Sequence, residues 1–260
     1  MSITEDASAA PVARRSPVRL PGPARRASPW TLLVAASVLV LAGAAAVMGI
    51  WWAVSIRTEV APFRVTGTLS AIELDVGAAP VEITGGAGGA VVGQRIDEFA
   101  FGRRPEATVD PRGDVLRIAS RCRDTVVGRC RVSYLIAVPD NVQVNVRTSS
   151  GRVRISGLNG SARVTTGSGS VAIDGFCGFT LVANSASGDV RGNAECSPDR
   201  IELRSGSGDV SAVVPVGRYR VDAHSDRFPA RVRGITKAED AAFTVQALSG
   251  SGDVSVEGAQ

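Results

Sequence analysis

The sequence predicts an all-β protein: a β-solenoid or β-helix-like stack of about 20-residue Gly/Ser-turn repeats, preceded by one transmembrane α-helix. Three observations carry that prediction. A Ser/Gly-rich turn followed by a Val-containing strand recurs down the second half of the chain. Twenty-six residues from Thr31 to Ile56 carry no charge. Aromatics are only 5% of the chain and its three tryptophans are Trp30, Trp51 and Trp52, so the remaining two hundred residues must build a thin aliphatic core with frequent turns, for which 29 glycines are available. With 44% hydrophobic and 21% charged residues, the chain holds too much apolar side chain to remain a solvated coil.

Residues 1–29 read as a disordered basic cytoplasmic tail, with Arg14, Arg15, Arg19, Arg25 and Arg26 set among prolines and only Glu5 and Asp6 as acids. Residues 30–56 read as the transmembrane helix. The uncharged run would be about 39 Å long at 1.5 Å per residue, against roughly 30 Å of hydrocarbon. Trp30 at one end and Trp51 and Trp52 near the other fall at headgroup level. A cleaved signal peptide is the competing reading, but both its n-region and its apolar stretch would be shorter. Five arginines precede the helix and only Arg57 and Arg64 follow it closely, which sets the N-terminus in the cytoplasm and the C-terminal domain outside the cell membrane. The basic balance is local, since residues 57–260 hold twenty-four basic and twenty-three acidic side chains, and a nucleic-acid partner loses its support. The arginine cluster serves topology and loose attraction to anionic lipid, or docks a cytoplasmic partner.

After a linker at 57–64, residues 65–141 read as an N-terminal β capping region, with strands over 71–76, 81–84, 90–96, 115–120 and 131–138. Residues 142–258 read as the β-repeat solenoid. Its turns are SSGRVRISG, TGSGSVAIDG, SASGDVRG, SGSGDVSA and SGSGDVSVEG, marked by Gly151, Gly169, Gly188, Gly208 and Gly252 at spacings of 18, 19, 20 and 44. The last interval is two periods and contains a worn copy, HSDRFPARVRG. Alternating apolar residues before each turn (Val142, Val144, Val146; Ala162, Val164; Leu181, Ala183; Ile201, Leu203; Val221, Ala223; Val245, Ala247) give every strand one apolar face. One repeat cannot bury that face alone, whereas stacked copies share one core. The marker glycines are expected to supply φ > 0 at tight corners, and the final strand is expected to need shielding by charge or a partner. An antiparallel sandwich is the alternative architecture.

Four cysteines outside a membrane suggest disulfides. Cys177 and Cys196 each lie eight residues after a marker glycine, which in a stack puts them about 4.8 Å apart on neighbouring rungs, within the window for a bridge. Cys122 and Cys130 would face one another across a hairpin near Val126. Unpaired buried thiols are the alternative; zinc is weaker, for neither pair has the short ligand spacing of a structural site.

No catalytic constellation is visible. His224 is the only histidine and reads as a surface turn residue, and the serines sit in turns without a base to activate them. Asp189, Asp209 and Asp253 recur in SGDV and are expected to hydrogen-bond their own turns, calcium being the lesser reading because the period is about twice that of calcium-binding nonapeptide repeats. No cofactor is expected. Residues 142–235 hold twelve arginines and eight acids, and Arg152 with Arg154, Arg218 with Arg220, and Arg231 with Arg233 are i, i+2 pairs. They are either solvated strand faces that discourage edge pairing or a basic strip for an anionic cell-envelope polymer or lipid headgroups.

AIELDVGAAPVEITGG near the start of the outer domain, followed by repeated (S/T)GSGDV turns, resembles the DUF4097 β-strand repeat domain family of bacterial candidate adhesins, over roughly residues 65–258. The resemblance implies a solenoid-like fold on the cell surface and an adhesin-like binding or structural module whose partner is an envelope polymer, lipid headgroups or a surface protein. It also implies an alternative, an accessory or sensor of an envelope-stress signalling system with a membrane signalling partner.

Overall fold

The computed structural model describes residues 29–101, 103–122 and 129–259. The tail, apart from Pro29, and the tip of the proposed Cys122–Cys130 hairpin lie outside them. The chain divides into two units at Ile50/Trp51, each taken by itself below. Helix α1 (Pro29–Val54) has no charged and no buried side chain and is long and apolar enough to cross a membrane. Its one serine, Ser37, donates to the Leu33 carbonyl at 2.9 Å, so the hydroxyl is satisfied within the helix.

In the second unit, seven strands come first: β1 (Ile56–Thr66), β2 (Ala71–Asp75), β3 (Val81–Thr84), β4 (Ala90–Ala100), β5 (Glu106–Arg112), β6 (Val115–Arg121) and β7 (Cys130–Ala137). Six strand pairs follow. They are β8 (Gln143–Thr148) with β9 (Val153–Ser156), β10 (Ala162–Thr166) with β11 (Val171–Phe176), β12 (Thr180–Ser185) with β13 (Val190–Ala194), β14 (Arg200–Ser205) with β15 (Val210–Pro215), β16 (Arg218–Ser225) with β17 (Arg231–Arg233), and β19 (Phe243–Ser249) with β20 (Val254–Ala259). The short β18 (Thr236–Lys237) lies between the last two pairs. Residues 57–64, expected as a linker, instead form most of β1, where Phe63 lies across from Gly93 of β4 and its ring covers the glycine.

The strands form two ten-stranded sheets. The first runs β1-β4-β7-β3-β9-β11-β13-β15-β20-β17 and the second β18-β16-β19-β14-β12-β10-β8-β2-β6-β5. Each repeat places one strand in each sheet, so successive rungs are parallel and in register. Val153, Val171, Val190, Val210 and Val254 are successive partners in the first sheet. Val144, Ala162, Leu181, Ile201 and Val245 are successive partners in the second. All ten are buried and belong to one core between the sheets. Bulk is complementary across it: Gly192 on β13 leaves room that the tips of Leu203 and Leu181 fill from the other sheet. Antiparallel pairing is confined to β1–β4, β4–β7 and β5–β6 at one end. The parallel stack decides against the antiparallel sandwich.

A hydroxyl ladder explains the turn motif. Gly169, Gly188, Gly208 and Gly252 each donate their N–H to the Ser or Thr hydroxyl three residues earlier, at 2.8 to 3.0 Å. The hydroxyls of Ser185, Ser205 and Ser249 in turn donate to the carbonyls of Gly169, Gly188 and Gly208 on the rung before, at 2.8 to 3.1 Å. Ser185, Ser205 and Ser249 thus each satisfy one turn N–H and one carbonyl of the neighbouring rung. The marker glycines do not take φ > 0 as expected; positive φ falls at other glycines, among them Gly157 and Gly175. They are glycine because the rungs approach too closely for a side chain: a Cβ on Gly208 would lie 2.5 Å from the carbonyl carbon and oxygen of Gly188.

The aspartates also bond between rungs, rather than to their own turns as expected. The Asp209 N–H donates to the Asp189 carboxylate at 3.0 Å, and the Asp253 N–H to that of Asp209 at 2.8 Å.

Stack order departs from chain order at both ends. Strands β2 and β3 sit between β6/β7 and β8/β9, and β19 and β20 sit between β14/β15 and β16/β17. The final strand, expected at an edge, is therefore interior, and the worn copy is the terminal rung. Its residues explain why. In register with Ser249, Ser225 is followed three residues later by Phe228 where the other turns have glycine. The turn opens, so that Arg227 and Phe228 reach the Ser225 hydroxyl only at 3.4 and 3.3 Å, and Phe228 is left exposed. Pro229 follows Ser225 by four residues, as Asp253 follows Ser249, and has no N–H to donate; Arg231 binds the Asp253 carboxylate instead, at 2.8 Å. The edges β17 and β18 are three and two residues long and carry Arg231, Arg233 and Lys237, which suits strands that must not recruit another chain.

Both expected disulfides are present, Cys122–Cys130 with Cα atoms 5.8 Å apart and Cys177–Cys196 with Cα atoms 4.7 Å apart on neighbouring rungs.

Candidate functional site

Outward-facing residues on the second sheet form rows that run across the rungs, because every parallel pairing is in register. One row reads Ala119, Asp75, Arg147, Thr165, Asn184, Arg204. The next reads Arg117, Glu73, Asn145, Arg163, Val182, Glu202. Most of these side chains, with Gln143, Thr180 and Arg200 beside them, line a shallow trough of about 1210 Å³. It crosses six strands, β6 to β14, or five spacings of about 4.8 Å, roughly 24 Å in all.

The charges in the trough divide into two kinds. Towards one end Arg117 pairs with Glu73 at 3.0 Å, and towards the other Glu202 receives Arg200 and Arg204, both at 2.8 Å. Between these ion-paired ends, Arg147 and Arg163 are exposed and their guanidinium groups have no hydrogen-bond or ion-pair partner among the described residues. They stand on adjacent strands, offset diagonally by two residues, with Asn145 and Thr165 completing the square. Asp75 lies beside Arg147 in the same row without pairing to it.

The six arginines singled out from the sequence are not gathered in this way. Arg152 lies in the turn before β9 and reaches the Ser170 hydroxyl at 3.3 Å. Arg154, Arg231 and Arg233 belong to the first sheet, on β9 and β17, with four strands between them. Arg218 and Arg220 are on β16 of the second sheet, where Arg218 pairs with Asp240 at 2.8 Å and Arg220 donates to the Glu239 carbonyl. Arg231 is engaged by Asp253. The pairs on β16 and β17 each share a face, but the six form no common strip. Arg147 and Arg163 escaped notice because their strands were read for their inward residues; the signal was a polar outward position at every second residue of β8 and β10.

His224 is exposed at the end of β16 and lies 3.1 Å from Asp226. Burial pushes the Tyr134 phenol above its ordinary range, opposite to what a nucleophile needs. Among the described residues no three His, Cys, Asp or Glu side chains converge as a metal site.

The architecture is thus that of a β-repeat protein with two parallel-rich sheets, and residues 136–227 match the family model Toastrack DUF4097. Similar solved structures include a candidate cell adhesion protein from Clostridium sporogenes, 12% identical over 78% of this chain and 100% of that one with a TM-score of 0.45. Another is a candidate adhesin from Bacteroides fragilis, 13% identical over 77% of this chain and 97% of that one with a TM-score of 0.40. No curated protein matches the chain.

Proposed function

We propose that this is a single-pass membrane protein whose N-terminus faces the cytoplasm and whose repeat stack stands outside as a non-catalytic, adhesin-like module that binds a component of the cell envelope. The excess of arginine before α1 supports the orientation. The observation that carries the binding role is the trough, in which two guanidinium groups have no partner of their own, with Asn145 and Thr165 beside them and Asp75 next to Arg147 in its row.

Full-length protein in liposomes should retain solubilised envelope polymer at low salt and release most of it at 1 M salt, where the screening length falls to about 3 Å. Absence of retention at low salt would remove the binding role.

A further inference from the structure

Resting on that reading, the geometry points to the class of ligand: we infer that the trough takes a linear, hydroxyl-rich chain bearing acid groups, laid across the rungs, with one acid group held between Arg147 and Arg163. The two guanidiniums lie on neighbouring strands, one row apart, so both can face a single anion. Each offers a planar fork that matches a carboxylate or phosphate oxygen pair, and neither has to give up an internal partner to do so.

The surroundings define the rest of the chain. Asn145, Thr165 and Asn184 present amides and hydroxyls along the same two rows, groups that both donate to and accept from alcohols. No aromatic side chain lines the trough, so the platform on which a neutral sugar or a base would stack is absent among the described residues. The ion pairs Arg117–Glu73 and Arg200–Glu202 bound the middle, which leaves space for one acid group at the centre rather than a dense polyanion. Carboxylate and phosphodiester share this chemistry; a uronate chain and a polyol phosphate chain are its two sources.

The experiment uses the full-length protein in neutral liposomes and a series of oligogalacturonates and glycerol-phosphate oligomers, with uncharged malto-oligomers as reference. At low salt, at least one acidic series should bind, more tightly with length until the trough is filled, and the malto-oligomers at least tenfold more weakly. The pair Arg147→Gln with Arg163→Gln should weaken acidic binding at least tenfold. Arg154→Gln with Arg191→Gln, the same charge change on the outer face of the first sheet, should change it less than twofold. Whichever series binds names the source of the acid. Equal losses from the two pairs would reduce the effect to general attraction and overturn the inference, as would failure of both acidic series. Trough-dependent binding to phosphatidylglycerol vesicles without binding of either oligomer would overturn it in favour of a lipid surface. If envelope polymer is still retained when the oligomers fail, the binding role stands and only the ligand class falls; if neither is retained, both fall.

Discussion

Gly208→Ala should lower the unfolding midpoint of the second unit in urea by an amount corresponding to about 3 kcal/mol, far beyond what one methyl group costs at an exposed turn. The added Cβ would sit 2.5 Å from the Gly188 carbonyl and 2.7 Å from the Asp189 nitrogen, all of it backbone, which cannot rotate away as a side chain can. Relief requires parting two rungs, and that also stretches the Ser205 hydroxyl's bond to Gly188. Overpacking of this kind costs about 1–3 kcal/mol, and the weakened hydrogen bond between the rungs pushes the value to the upper end. Gly89→Ala is the control: a Cβ there meets nothing within 4 Å and the backbone needs no positive φ, so its midpoint should stay within about 0.5 kcal/mol of the parent. Equal behaviour of the two variants would mean that the rungs are not stacked as closely as described.

Removing the Cys177–Cys196 bridge by Cys177→Ala with Cys196→Ala should cost about 3 kcal/mol, because a bridge closing a loop of this length restricts the unfolded chain by about that much. The Cys122–Cys130 bridge spans 8 residues against 19, so its removal should cost less. Denaturant titration of the two double variants reads the difference. A negligible effect at Cys177–Cys196 would show that the unfolded chain is already confined there.

Much of the fold was legible because a repeat announces both its period and its inward face. The apolar residues before and after each glycine occupy equivalent core positions, and the equal offset of Cys177 and Cys196 from their glycines specified the rung-to-rung bridge. What was not legible concerned neighbours across rungs. Asp189 and Asp209 were expected to serve their own turns, since local bonds are the usual habit of aspartate in turns, yet a spacing of about 4.8 Å brings the next rung's N–H within reach. The terminal place of the worn copy was written in Phe228 and Pro229, which break the glycine and N–H requirements of stacking. That reading needs the ladder to be known first. The insertion of β2 and β3 between β6/β7 and β8/β9 has no comparable local mark. The arginines show the same division: i, i+2 spacing places Arg218 with Arg220 on one face, but only the register across strands sets Arg147 beside Arg163.

That register, with β2 rather than β6 beside β8, builds the trough, and cross-linking tests it most directly. Glu73 and Asn145 are in-register partners on adjacent strands, whereas Arg117 is one strand further away, beyond Glu73. Glu73→Cys with Asn145→Cys should form an intramolecular disulfide under mild oxidation, seen by peptide mapping without reduction, while Arg117→Cys with Asn145→Cys should not. The reverse outcome, ready linkage of positions 117 and 145 and none of 73 and 145, would put the rungs in chain order and contradict the trough described here.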